Sequence, residues 1–192
     1  MKKLFTAFAL LLAFTAVPLA GLQVAQASAP MTVALLPIIN SSAVGDDWIV
    51  RHVQSSLDSR LPRSKYRFTD PTLTADLLRD NGYVAGFGQL PDKQTVIKLT
   101  RGLKADALIG LKIARVAYQT HDMKLTEPYG KEQVTTIIEA VIYSAADGSY
   151  QTYTARKAID KEVGPFTPYE KEDLITAGLD QCMAEILAKI SF

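Results

Sequence analysis

The sequence predicts a single-domain α/β fold: a mixed sheet built around an antiparallel three-strand meander, with helices packed on it. Three observations lead there. Residues 105–118 (ADALIGLKIARVAY), 133–145 (QVTTIIEAVIYSA) and 149–160 (SYQTYTARKAID) are consecutive strand-like runs. Asp147-Gly148, between the last two, supplies the positive φ that a tight hairpin needs. Ahead of them, short apolar runs alternate with amphipathic helical patterns, the order of an α/β unit.

Residues 1–27 read as a bacterial-style secretory signal. Lys2 and Lys3 form its charged start, residues 4–17 its apolar core, and Ala25-Gln26-Ala27 its small-residue end. Cleavage at Ala27-Ser28-Ala29 would leave Pro30 just past the cut, so the cut is expected after Ala27. Residues 4–22 approach the roughly 20 residues of a membrane span. Pro18, Gly21 and the small-residue ending argue instead for a cleaved leader. The expected product is one α/β domain over 28–192, periplasmic or secreted, with no transmembrane span in the mature chain. No cysteine lies near the cut to carry a lipid, and the lone Cys182 falls on the apolar face of the last helix, where it packs as a core residue.

About 165 residues remain, enough for one domain with its own core. Without Lys2 and Lys3 there are nineteen Lys and Arg against twenty Asp and Glu. That balance gives no electrostatic footprint for nucleic acid or an anionic membrane surface.

Residues 31–39 (MTVALLPII) are almost wholly apolar and fit a strand covered on both faces, with Pro37 marking its end. A polar loop follows. Residues 48–61 then carry Ile49, Val50, Val53, Leu57 and Leu61 at helical spacing, with Asp46 or Asp47 as cap. Residues 65–69 (KYRFT) alternate as a second strand, ended by Asp70-Pro71. Residues 73–79 form a short helix, with Thr72 or Thr74 near its start and Asn81-Gly82 at its stop. After the link 82–88, residues 91–103 give a helix with Val96, Ile97, Leu99 and Leu103 on one side.

In the meander, Ala107, Ile109, Leu111 and Ile113 share one face, and Leu108, Gly110, Lys112, Ala114 and Val116 the other. Val134, Ile138, Ala140 and Ile142 alternate with Thr135, Ile137, Glu139, Val141 and Tyr143. The polar third strand suits an exposed edge, with Arg156 and Lys157 discouraging further pairing. Residues 119–132 read as a polar loop. The last helix opens on Thr167-Pro168-Tyr169-Glu170, a capping box with proline at the first helical position. Its stripe is Leu174, Ile175, Leu179, Cys182, Met183, Ile186, Leu187 and Ile190, and Gly178 permits close approach to the sheet.

Raw material for catalysis is scarce. His52 and His121 are the only histidines, and neither has a partner at ligand spacing, so no metal is expected. There is no G-x-S-x-G elbow or Walker pattern, and Gly86-Phe87-Gly88 lacks the third glycine of a dinucleotide fingerprint. The chain reads as a non-catalytic, protein-binding scaffold or accessory module without a cofactor; a small-ligand-binding periplasmic protein is the alternative, and an unrecognised hydrolase stands behind it. The loop 40–48 leaves the carboxyl end of the first strand, where open α/β sheets favour ligands. Asn40, Ser41, Asp46, Asp47 and Trp48 are therefore binding candidates, together with Tyr118 and Tyr129 at the hairpin loop. A purely architectural role competes with this, in which Trp48 staples the helix to the core and Asp47 caps it. Tyr150 and Tyr153 on the third strand are similar candidates.

VALLPIIN at 33–40, KADALIGLKI at 104–113, IIEAVIYSAADGSY at 137–150 and the closing amphipathic helix resemble the CsgG, TolB N-terminal and LpoB-like group of envelope proteins. The resemblance covers most of residues 31–190 and rests on hydrophobic patterns. It implies a mixed-sheet domain that binds other envelope proteins and does no chemistry; self-association through sheet edges is the other partner expected of the chain. Two departures stand out. The lipid-bearing cysteine of CsgG and LpoB-like members is missing, and residues 119–132 are too short and polar for the ~9–11-residue lipid-facing strands of a pore.

Overall fold

The structure, a computed structural model, describes residues 30–45, 47–83, 88–121, 130–163 and 171–192. Its centre is β4 (Ala107–His121), which joins two kinds of sheet. On one side β4 pairs in parallel with β1 (Met31–Leu35) and the short β2 (Ile39–Asn40), and β1 pairs in parallel with β3 (Tyr66–Phe68). On the other side β4 is antiparallel to β5 (Gly130–Ser144), and β5 to β6 (Tyr150–Val163). The order across this six-stranded sheet is β3-β1-β4-β5-β6, with β2 also on β4. Pro37 explains the break between β1 and β2: it has no N–H to give, so the ladder stops and resumes at Ile39.

The connections decide where the helices lie. β1 reaches β3 through α1 (Asp47–Arg60), and β3 reaches β4 through α2 (Pro71–Asp80) and α3 (Lys93–Gly102). These two parallel crossovers travel in opposite directions across the sheet, so a common right-handed turn puts their helices on opposite faces. The two cores agree. Ile49, Val53 and Leu57 of α1 pack with Val33, Ile109 and Leu111, whereas Leu78 of α2 and Val96 and Leu99 of α3 pack with Ala34, Leu108 and Val141. The closing helix, α4 (Lys171–Leu187), lies across β5 and β6 beside α1. Its buried side chains are Leu174, Ile175, Leu179, Cys182, Met183 and Ile186, as their spacing predicts. Gly178 seats it so closely that a Cβ there would lie 2.4 Å from Thr136 Oγ1.

Three expectations are corrected. Strict alternation placed Val116 opposite Ile113, but the β4–β5 register slips between Ile113 and Arg115. The extra residue, Ala114, is a β-bulge that rotates the rest of the strand. Val116 therefore joins the core beneath α1 and α4, and Tyr118 packs against that core too. Second, the meander is longer than its polarity suggested. Thr120 pairs with Glu132 and His121 with Lys131, because backbone pairing continues where side chains can be polar. Third, the next helix starts at Pro71 and not at Leu73: Asp70-Pro71, which follows the end of β3, also opens α2. Asp70 accepts a 2.8 Å hydrogen bond from Thr72 N, and Pro71 occupies the first turn, where its missing N–H costs nothing. Asp70→Ala should lower stability by about 1 kcal/mol, readable as an earlier urea midpoint. The 1–27 leader, Asp46, residues 84–87, Asp122, Tyr129 and the 167–170 capping box lie outside the described residues.

Three carboxylates are held in their charged form by the fold. Hydrogen bonds from Thr95 hold Asp92 below its ordinary value of 3.8, those from Ser149 do the same for Asp147, and the Lys157 ammonium holds Glu185 below 4.5. Each binds protons more weakly folded than unfolded, so each contributes stability above its ordinary value and loses it as pH falls through the lower folded value. The melting temperature should therefore be level above pH ~5 and fall below pH ~4. Titration of the melting temperature, with Glu185→Gln flattening part of the slope, checks this.

Candidate functional site

Two features of the surface follow from this topology. The first is a crevice. Because the chain leaves β1 toward one face and β3 toward the other, the loops at the carboxyl ends of these neighbours diverge, the arrangement at which open α/β sheets hold ligands. A cavity of about 320 Å³ opens there. Leu35, Leu36 and Pro37 form one wall and Phe68, Thr69 and Pro71 the other, with Gln54, Asp58 and Arg63 at the rim. The Arg63 guanidinium stands 5.6 Å from the Phe68 ring centroid, and Gln54 Nε2 donates a 3.0 Å hydrogen bond to Asp58 Oδ1. Gln54 and Asp58 also border a shallower groove of about 530 Å³ with Ile38, Val50 and Arg51.

The second is the outer face of the meander. α2 and α3 cover only its start, over Leu108, Val141 and Tyr143. Their cover stops at the Lys112–Glu139 ion pair, with Nζ and Oε2 3.0 Å apart. Beyond it the strands continue with one face open. Arg115, Ile137 and Arg156 form one cross-strand row, and Ala117, Thr135 and Ala158 the next. Among the described residues neither Arg115 nor Arg156 has an ion pair, and both are exposed. Two guanidinium groups thus flank a half-buried isoleucine. The bulge at Ala114 creates this row by turning Arg115 outward as it turns Val116 in.

Among the described residues, the predicted binding residues do not converge; Asp46 and Tyr129 lie outside them. Asn40 braces its own loop: its Oδ1 accepts from Ser42 N at 3.0 Å and Ser42 Oγ at 2.7 Å, and its Nδ2 donates to Val44 O. Ser41 N donates to Ile113 O, tying the loop to β4. Asp47 is exposed in the first turn of α1, and Trp48 is half-buried against the main core. Tyr118 lies further along β4, with the Lys171 ammonium 5.4 Å from its ring centroid. Tyr150 instead donates to Pro91 O, pinning the β6 start to the approach to α3.

Elsewhere the chemistry is structural. No three His, Cys, Asp or Glu side chains gather as a metal site would require, among the described residues. His52 Nε2 lies 2.7 Å from Asp180 Oδ1, linking α1 to α4. Cys182 is fully buried and directs its thiol at the carbonyls of Thr136 and Ala155, and burial pushes it up to about 11, out of the nucleophilic range. No described helix is long and apolar enough to cross a membrane.

The crevice and the open row escaped the sequence reading for different reasons. The crevice needs the strand order, which puts β3 beside β1. The row needs the bulge. A usable signal existed only for the first: a strand–helix–strand unit at 31–69 followed by a second crossover already implies a reversal point.

No family model matches the chain, and no curated protein matches it in sequence. Solved structures do resemble it. A neuraminyllactose-binding hemagglutinin homolog from Helicobacter pylori is 10% identical, covering 85% of this chain and 86% of that one at a TM-score of 0.55. Lipoprotein GNA1162 from Neisseria meningitidis is 15% identical over 84% of this chain and 100% of its own, at 0.44. The LpoB C-terminal domain from Salmonella enterica is 8% identical over 68% of this chain and 83% of its own, at 0.40. The first shares the fold and nothing more follows from it; the other two are looser likenesses that carry no argument.

Proposed function

We propose that this chain is an exported, non-catalytic binding module of the cell envelope, released after a signal at residues 1–27 and docking another protein on the open face of its meander. One observation carries the reading. The β4–β5–β6 meander continues well past its helical cover and presents Ile137 between two guanidinium groups, an apolar anchor with charged flanks. The pattern resemblance to the CsgG, TolB N-terminal and LpoB-like proteins supports the same reading. A surface of this kind fits a partner offering carboxylates around an apolar side chain.

The test is cross-linking of the tagged mature chain in envelopes, followed by binding to the purified partner. Wild type should bind one envelope protein. Ile137→Glu with Arg115→Glu should weaken that binding at least tenfold, and Arg63→Ala at the crevice should leave it unchanged. Equal binding by all three chains, or no partner, would overturn the reading.

The crevice favours a second function, capture of a small ligand with a flat apolar body against Phe68 and an anionic group toward Arg63. A ligand-dependent rise in melting temperature that Arg63→Ala abolishes would select it.

A further inference from the structure

The two edges of the sheet are treated differently. At one end β3 is 3 residues long, too short to template another strand. At the other, β6 runs for 14 residues, and among the described residues no strand pairs with its outer side. Among the described residues its outer side thus meets no strand, and an edge of this length is the feature that natural proteins blunt unless it is used. Lys157, which the sequence suggests as a guard, does not serve as one: its ammonium is folded back onto Glu185 at 2.6 Å.

We infer that β6 pairs with β6 of a second copy, antiparallel about a two-fold axis at Ala158, to form one continuous sheet. The position of the axis follows from charge. Pairing about Ala158 sets Arg156 opposite Asp160 of the second copy and Asp160 opposite its Arg156, with Thr154 opposite Glu162, all on the open face. On the other face Lys157 meets Ile159, and Ala155 meets Lys161. Every near register is worse. An axis at Lys157, Arg156 or Asp160 opposes that charge to itself, and an axis at Ile159 opposes Lys157 to Lys161 twice.

The components suit the pairing. Ala158 is exposed and small, so two strands can close at the axis. Arg156 has no ion pair among the described residues. Asp160 accepts a 2.7 Å hydrogen bond from Gln133 Nε2 on one oxygen, and a carboxylate has further lone pairs for a guanidinium. α4 lies over β5 and β6, so the two α4 helices would stand about 10 Å apart across the seam, an ordinary packing distance. The interface is isologous and closes on itself, giving a dimer and not a fibre. It extends the open face across both copies; it engages Arg156, one of the two guanidinium groups beside Ile137, and leaves Arg115 and Ile137 to any protein that docks there.

Sedimentation of the purified mature chain should give a dimer mass. Arg156→Asp should weaken the dimer about tenfold or more, Asp160→Arg likewise, and the double exchange should restore it. Oxidised Ala158→Cys should cross-link to a dimer, because residue 158 meets itself only in this register, while Thr152→Cys should not. Buried Cys182 does not compete. Circular dichroism separates lost pairing from lost folding. A monomer at all concentrations, a dimer indifferent to charge reversal, or a cross-link formed by the Thr152→Cys chain and not by the Ala158→Cys chain would each overturn the proposal.

Discussion

Gly178→Ala should destabilise the domain by about 2 kcal/mol, although alanine is the better helix former. In an exposed helix the change would gain about 1 kcal/mol. Here the added Cβ falls 2.4 Å from Thr136 Oγ1 and 3.2 Å from Thr136 Cβ, both on a fully buried residue of the central β5. Neither neighbour is the flexible end of a long side chain, so α4 must lift from the sheet. Lifting it loosens Leu174, Leu179, Cys182 and Met183 together. Thr136→Ala removes the nearer atom. Its hydroxyl has no hydrogen-bond partner among the described residues, so the single change forfeits little bonding. The pair should therefore be strongly coupled: in Thr136→Ala, adding Gly178→Ala should cost less than half as much. Urea unfolding of the four chains in this cycle measures the coupling. Additive effects would mean that the helix is not held at this point.

Inserting one alanine between Ile137 and Ile138 of β5 is expected to be as damaging for a different reason. The bulge lets β4 present Ile113 and Val116 to the same core although they are three apart in sequence. Deleting Ala114 would close the bulge and still leave Ile113 and Val116 two apart on one face, so it should cost little. A residue inserted opposite Ala114 closes it the other way: strict alternation would turn Val116 and Tyr118 to the open face and bring Arg115 and Ala117 under α1 and α4. An unpaired guanidinium buried there costs several kcal/mol, so the strand would shift register or the far half of the meander would separate. Loss of cooperative unfolding, or a fall in melting temperature exceeding about 10 °C, is the expected result. Ala114→Ser keeps the residue count and should be nearly silent. The comparison isolates geometry from chemistry. It also bears on function, because the same bulge turns Arg115 beside Ile137.

What the sequence by itself determined was local. Alternation in β5 assigned Val134, Ile138, Ala140 and Ile142 to one face and Val141 and Tyr143 to the other, and both sets are buried in separate cores. The Asp147-Gly148 turn is where the hairpin reverses, with Gly148 at φ +69°. The α4 stripe and its glycine were equally legible. Each depends on periodicity or a backbone preference carried within a few residues.

The tertiary structure decided what depends on residues far apart in the chain. Ala114 is as good a strand residue as Ala117, and only pairing with Ile137 and Ile138 shows that it is the extra one. Thr32 N donates 2.7 Å to Asp106 Oδ2, a link across the sheet that neither residue announces. The crevice exists because β3 lies beside β1, and the open row because α3 is shorter than the strands it covers. Hydrophobic pattern states that a face is buried but not by which element, nor where that element ends. Those are properties of strand order and length, and they place both the crevice and the open row.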